Sequence, residues 1–209
     1  MTTARVQTID GGDAGARGGA RGGDDAVHAS GRWAMRLVIA TEACFFGYLL
    51  FSYWYLAAFA TTWPPHDAQV SLQLALPNTG ILLASSALLI WGESGIRQGR
   101  IGQLRAGLAL TTVLGALFVA VQFVEWSRQT VTPSGSLWGS LFFTITGFHV
   151  AHVCVGLLML VVVQVGAWRG AFTARRHGYV SNAALYWHFV DVVWLAVFTS
   201  LYLVPVLNT

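Results

Sequence analysis

Four titratable residues are embedded in apolar runs of this chain, where charge is expensive. His188 and Asp191 lie three positions apart in "YWHFVDVVW" (residues 186–194), and His149 and His152 share the same spacing in "GFHVAHV". Residues three apart share one face of a helix, so each pair could share a proton or a hydrogen bond, or clamp two helices together. A fifth such residue, Glu42 in "TEACFFGYLLF", has no basic residue one turn away in sequence. Without a partner, a buried carboxyl stays largely neutral, and lipid contact, proton exchange and helix association all remain open for it. The i, i+3 histidines also have a metal-ligand spacing. A di-iron site would need carboxylate and Glu-x-x-His partners on other helices, and heme ligation would need a facing histidine at matched depth. Glu125, Asp191 and His188 are the candidates, no Glu-x-x-His occurs, and neither pattern is complete. Helix–helix hydrogen bonding is the expected role of His149, His152, His188 and Asp191, which form a candidate buried polar network. No catalytic residue and no metal ligand set is assigned.

The elements that must hold these groups are membrane spans. The chain has 209 residues, of which 55% are hydrophobic and only 10% charged, against about 25% charged in a soluble domain. Five apolar segments are expected to be helices, over about 33–60, 72–97, 102–127, 137–168 and 179–206. Each exceeds the ~20 residues that cross a ~30 Å hydrocarbon core. In lipid the backbone must satisfy its own hydrogen bonds, so such runs are helical; membrane-barrel strands would be shorter and would alternate. The fold class is an all-α integral membrane bundle of five transmembrane helices over 32–209. Residues 1–31 form a Gly/Arg/Asp-rich tail expected to be disordered, because eight glycines and mixed charges offer little to pack. No signal-peptide pattern precedes the first span, which is expected to be its own insertion signal.

All 12 basic residues are arginine. Arg5, Arg17, Arg21, Arg32, Arg36, Arg97, Arg100, Arg105, Arg169, Arg175 and Arg176 flank one side, and Arg128 alone flanks the other. The positive-inside rule then places the N-terminus inside and the C-terminus outside. The basic charge is explained by these helix ends, and nucleic acid is not an expected partner. Small residues in "LASSA" (83–87), Gly107, Gly115, Gly139, Gly147, Ala151 and Gly156 mark where helices meet. Glu93 and Glu125 lie near helix ends; Glu125 with Arg128 one turn on reads as an interfacial ion pair. His66 and Asp67 in "TTWPPHDAQ" read as solvated loop residues. Cys44 and Cys154 fall inside apolar runs and read as buried free thiols with no disulfide framework.

Taken in order, "TEACFFGYLLFSYWY", "WPP", "LPNTGILLASSALLIWG", "GSLFFTITGFHVAHVCVG" and "YWHFVDVVWLAVF" resemble subunit III of the heme–copper oxidases, particularly the cytochrome c oxidase branch. The resemblance covers nearly all of residues 33 to 204. It implies a non-catalytic accessory subunit in a five-helix form, lacking the two first helices of seven-helix members. It implies oxidase subunits I and II and membrane phospholipids as partners, hemes and copper only in those partners, and bound phospholipid. It also implies a bacterial plasma membrane, multi-pass location and a part in aerobic electron transport. Glu42 inherits, by resemblance, the family's carboxyl-reagent-sensitive glutamate, linked to proton uptake by subunit I and to protection from turnover-induced inactivation. His188 and Asp191 become structural members of a helix interface, with His149 and His152 as the first candidates for their partner. A quinol oxidase or nitric oxide reductase could supply the catalytic partner instead. A proton-coupled transporter is the reading from another class; it would show internal repeats or broken helices near the midplane, which the sequence lacks.

Overall fold

The computed structural model describes residues 13–65, 68, 72–172 and 178–207, with backbone alone for 13–29. Among the described residues there is no strand. The elements are α1 (Asp13–Phe59), α2 (Leu72–Arg97), α3 (Ile101–Arg128), α4 (Leu137–Trp168), α5 (Gly178–Phe198), a π-helical stretch (Thr199–Leu203) and α6 (Val204–Leu207). Five segments are long and apolar enough to cross a membrane: Ser30–Phe59, Leu72–Arg97, Ile101–Arg128, Leu137–Trp168 and Gly178–Leu207. The expected helices fall on these segments, but α1 itself begins at Asp13, upstream of the start expected near residue 33. Of the tail expected to be disordered, residues 1–12 lie outside the described residues; from Asp13 onward the backbone continues α1 upstream of its span. Extending a helix that already exists avoids the cost of nucleating one. His66 and Asp67 also lie outside the described residues.

Helices α2, α3, α4 and α5 close a ring in which each packs on the next and α5 returns to α2, while α1 leans on α4 and α5 from outside. Two turns at one end of the ring are built alike. Gly99 and Gly170 both have φ of 74°, a conformation that costs glycine nothing. After α2, the Arg100 N–H bonds the Gly95 carbonyl at 2.8 Å and the Gly99 N–H bonds Ile96 at 3.0 Å. After α4, Ala171 bonds Gly166 at 3.0 Å and Gly170 bonds Ala167 at 3.3 Å. This paired pattern satisfies the last orphan carbonyls of a helix and reverses the chain. At the opposite end, Ser136 caps α4 by accepting the Gly139 N–H at 3.0 Å.

The packing follows the logic of lipid rather than water. Phe51, Val113, Leu158, Val162 and Val192 face outward, whereas Asn78, Ser85, Thr111, Gln122, Thr146 and His149 are sealed inside. With lipid as apolar as leucine, helices associate through close packing and interhelical hydrogen bonds. The closest approach is α2 on α3: a Cβ at Gly107 would lie 2.7 Å from the Gly92 Cα and 2.9 Å from the Leu88 carbonyl oxygen. Trp187 of α5 is lodged between two more glycines. A Cβ at Gly115 would meet its ring at 2.5 Å, and one at Gly156 at 2.9 Å. Its indole N–H donates to Ser85 Oγ at 3.0 Å, so one side chain fastens α5 to α2, α3 and α4. Cys44 and Cys154 are free and exposed, against the expectation of burial. Apolar context in a membrane chain does not separate lipid-facing from core positions, and these two face outward.

Candidate functional site

The polar residues divide into separate groups, each set by which helix face it occupies. On the flank of the ring, Glu42 of α1 meets His152 of α4, with Oε2 and Nε2 2.9 Å apart. His152 Nδ1 lies 2.6 Å from the Phe148 carbonyl oxygen one turn back. A carbonyl can only accept, so Nδ1 carries a hydrogen. The contact with Glu42 then contains one shared proton: a neutral acid donates to Nε2, or a protonated imidazole donates to the carboxylate. The pair is part-buried and borders a groove of about 320 Å³ whose walls include Met35, Val38, Val155, Met159 and Tyr186. Phe45 and Phe46 pack their rings against His152. Glu42 therefore has a partner, which sequence proximity could not show because it sits 110 positions away.

At the seam between α2 and α5, His188 and Asp191 of α5 converge on Ser86 of α2. Ser86 Oγ is 2.6 Å from His188 Nδ1, and it bonds Asp191 Oδ2 directly. The expectation that His149 and His152 hold this pair is corrected: among the described residues, no hydrogen bond joins either histidine to His188 or Asp191. One turn of α4 sends His152 outward to α1 and His149 inward. His149 is fully buried, and neither ring nitrogen has a hydrogen-bond partner among the described residues. Its imidazole packs beside Trp194, with ring centres 4.9 Å apart, and edge-on to Phe118 at 5.8 Å. The four residues expected to form one network thus serve different contacts.

Glu125 is also placed differently from its sequence reading. It is 5% exposed, accepts the Gln122 amide N–H at 3.0 Å and has the Tyr202 phenol nearby. Arg128 is exposed, and no ion pair links the two among the described residues. Glu125 shares the inward face of α3 with Phe118 and Gln122, whereas Arg128 lies in the last turn of the helix and is exposed. Glu93 is the carboxylate that pairs: Arg97 Nη2 lies 2.9 Å from its Oε1, and Ser181 donates to the same oxygen at 2.9 Å.

Sequence reasoning overlooked Ser86, reading "LASSA" only as a close-packing stripe. A signal was present. Thr79, Ser86 and Glu93 are spaced by seven on α2, and the residues they meet on α5 are Trp194 (indole N–H to Thr79 Oγ1, 2.9 Å), His188 with Asp191, and Ser181. Two antiparallel helices therefore share one polar seam. Among the described residues, no three of His, Cys, Asp and Glu converge as a metal site.

Fold and site together define a multi-pass helical membrane protein with paired polar side chains at two helix interfaces. The sequence model of cytochrome c oxidase subunit III matches residues 14–206. The chain is 35% identical over 178 residues to cytochrome c oxidase subunit 3 of Petromyzon marinus, an alignment spanning 82% of this chain and 68% of that protein. The Locusta migratoria protein of the same name is 35% identical and that of Mus musculus 33%, with the same coverage. The chain belongs to the cytochrome c oxidase subunit III family.

Proposed function

We propose that the chain is the non-catalytic subunit III of a bacterial respiratory cytochrome c oxidase, seated in the plasma membrane with its N-terminus inside and its C-terminus outside. In this reading it stabilises the catalytic subunit I, binds phospholipid, and supports proton uptake during aerobic electron transport. Hemes and copper reside in subunits I and II. Family membership supports the assignment. The arginine asymmetry supports the orientation.

The observation that carries the specific role is the Glu42–His152 contact at the edge of a groove on the outer flank of the ring. A proton shared between two side chains at 2.9 Å can change sides without either residue moving far. An acyl chain fits the apolar wall of Met35, Val38, Val155 and Met159. Glu42→Gln keeps the shape of the side chain and removes its acidic proton. The expected outcome is normal assembly of the complex with faster loss of activity during sustained turnover in a lipid-containing preparation. Equal endurance of variant and parent over many turnovers would contradict the role. The spectrum of the co-purifying complex separates a cytochrome c oxidase from a quinol oxidase or nitric oxide reductase partner.

A further inference from the structure

The interior seam between α2 and α5 contains a chain of hydrogen bonds whose hydrogens can be counted. Ser86 has one hydroxyl hydrogen, and its Oγ contacts both His188 Nδ1 at 2.6 Å and Asp191 Oδ2. An unprotonated ring nitrogen and a carboxylate oxygen would both be acceptors, and one hydrogen cannot serve two. Either Nδ1 or the carboxyl must therefore bring a second hydrogen. In the first arrangement Nδ1–H donates to Ser86 Oγ, whose hydroxyl donates to the Asp191 carboxylate. In the second, the Asp191 carboxylic acid donates to Ser86 Oγ, whose hydroxyl donates to Nδ1.

We propose that Ser86 is a proton relay through which the sealed Asp191 exchanges its proton with His188, and that this seam is a proton-holding site of the subunit. In the step, the His188 N–H bond and the Ser86 O–H bond break while a new Ser86 O–H and an Asp191 O–H form. One proton moves in net from His188 to Asp191, and an imidazolium–carboxylate pair becomes a neutral pair. No oxidant and no further reactant is needed.

The surroundings fit a relay with one open end. Asp191 is 4% exposed and its Oδ1 has no hydrogen-bond partner among the described residues, whereas His188 is only half-buried. Glu93 lies close enough to interact with His188. It sits seven residues beyond Ser86, or roughly 10.5 Å along α2, and is tied to Arg97 and Ser181. The polar seam therefore continues from His188 towards the arginine-bearing end of α2. Below Asp191 the seam closes, because Trp194 and Thr79 bond each other. Among the described residues, the seam is open towards His188 and closed beyond Asp191. The inference rests on α2 and α5 alone and does not depend on the role of Glu42.

The test is infrared spectroscopy of the assembled complex in lipid, following the carboxylic C=O band as water is replaced by deuterium oxide. Asp191 is the one aspartate within the five spans, so its band is assigned by isotopic labelling of aspartate and by its loss in Asp191→Asn. The parent is expected to show a labelled band that exchanges promptly. Ser86→Ala is expected to slow that exchange by roughly tenfold or more, since removing the hydroxyl breaks the chain of donors and acceptors that joins Asp191 to His188. Ser86→Thr, which keeps a hydroxyl, is expected to restore it. The proposal is overturned by the absence of any labelled aspartic acid band at every pH at which the complex is intact. Exchange in Ser86→Ala as fast as in the parent would also overturn it, as would a Thr variant as slow as the Ala variant. In the last two cases the seam is a structural clamp.

Discussion

The flank and the interior of this bundle use the same chemistry, a histidine beside a carboxyl, with different consequences. On the flank, Glu42 and His152 join α1 to α4, and the most apolar stretch of α1 is only 6% buried. In the interior, His188 and Asp191 join α5 to α2 through Ser86, and the corresponding stretch of α5 is 56% buried. The flank pair borders a groove and lies outside the contacts that close the ring. The interior trio is also a fastener, because losing one member leaves polar atoms of the sealed Asp191 or its half-buried partners unpaired. Position within the bundle, more than residue type, separates a group that can serve function from one that also sustains the fold.

Substitutions can break or sharpen this contrast, and the largest effect is expected where no polar group is involved. Gly107→Leu drives a side chain into the Gly92 backbone of α2, an overpacking with no flexible neighbour to yield. The expected outcome is loss of folded protein from membranes, checked by yield after detergent extraction. Next comes Asp191→Ala, which strands Ser86 and His188 at a cost of about 1–3 kcal/mol. Poor assembly of the complex is expected, and normal yield would place the interior trio on a level with the flank. Glu42→Gln is expected to leave yield unchanged and shorten activity under turnover, which is the opposite signature. The smallest effect is expected for Trp194→Phe, which removes the indole bond to Thr79 and keeps most of the ring packing. A loss of about 1 kcal/mol should appear as a modest drop in thermal stability with assembly intact.

How far the sequence foretells this arrangement depends on the kind of force involved. The presence of five spans was legible, because lipid imposes one requirement, a long apolar run, on every stretch of a helix. Gly107, Gly115 and Gly156 were legible as contact points because glycine leaves room for a neighbour, the Gly92 backbone at Gly107 and the Trp187 ring at the other two, whereas Gly147 has open space beside it. Partner choice was not legible. Glu42 and His152 are 110 positions apart, and only the docking of α1 on α4 brings them together. Helical phase misled the reading of Glu125: Arg128 is near it in sequence, but Glu125 turns inward with Gln122. Ser86 escaped because serine in a small-residue stripe serves packing and hydrogen bonding equally well. Its spacing of seven from Thr79 and Glu93 was the pattern that could have revealed it. The exposed Cys44 and Cys154 show the converse limit, since an apolar residue in a membrane helix is as much at home in lipid as in the core.

In the proposed reading, this chain serves a cofactor-bearing partner from within the membrane. The most direct test of that reading is gentle purification of the chain through an added affinity tag, followed by the absorption spectrum and subunit composition of what comes with it. The expected result is heme absorbance that belongs to co-purifying subunits I and II, together with retained phospholipid, and none once those subunits are stripped away. Heme or metal bound stoichiometrically to the isolated chain, or a chain that purifies without any oxidase subunit, would contradict it.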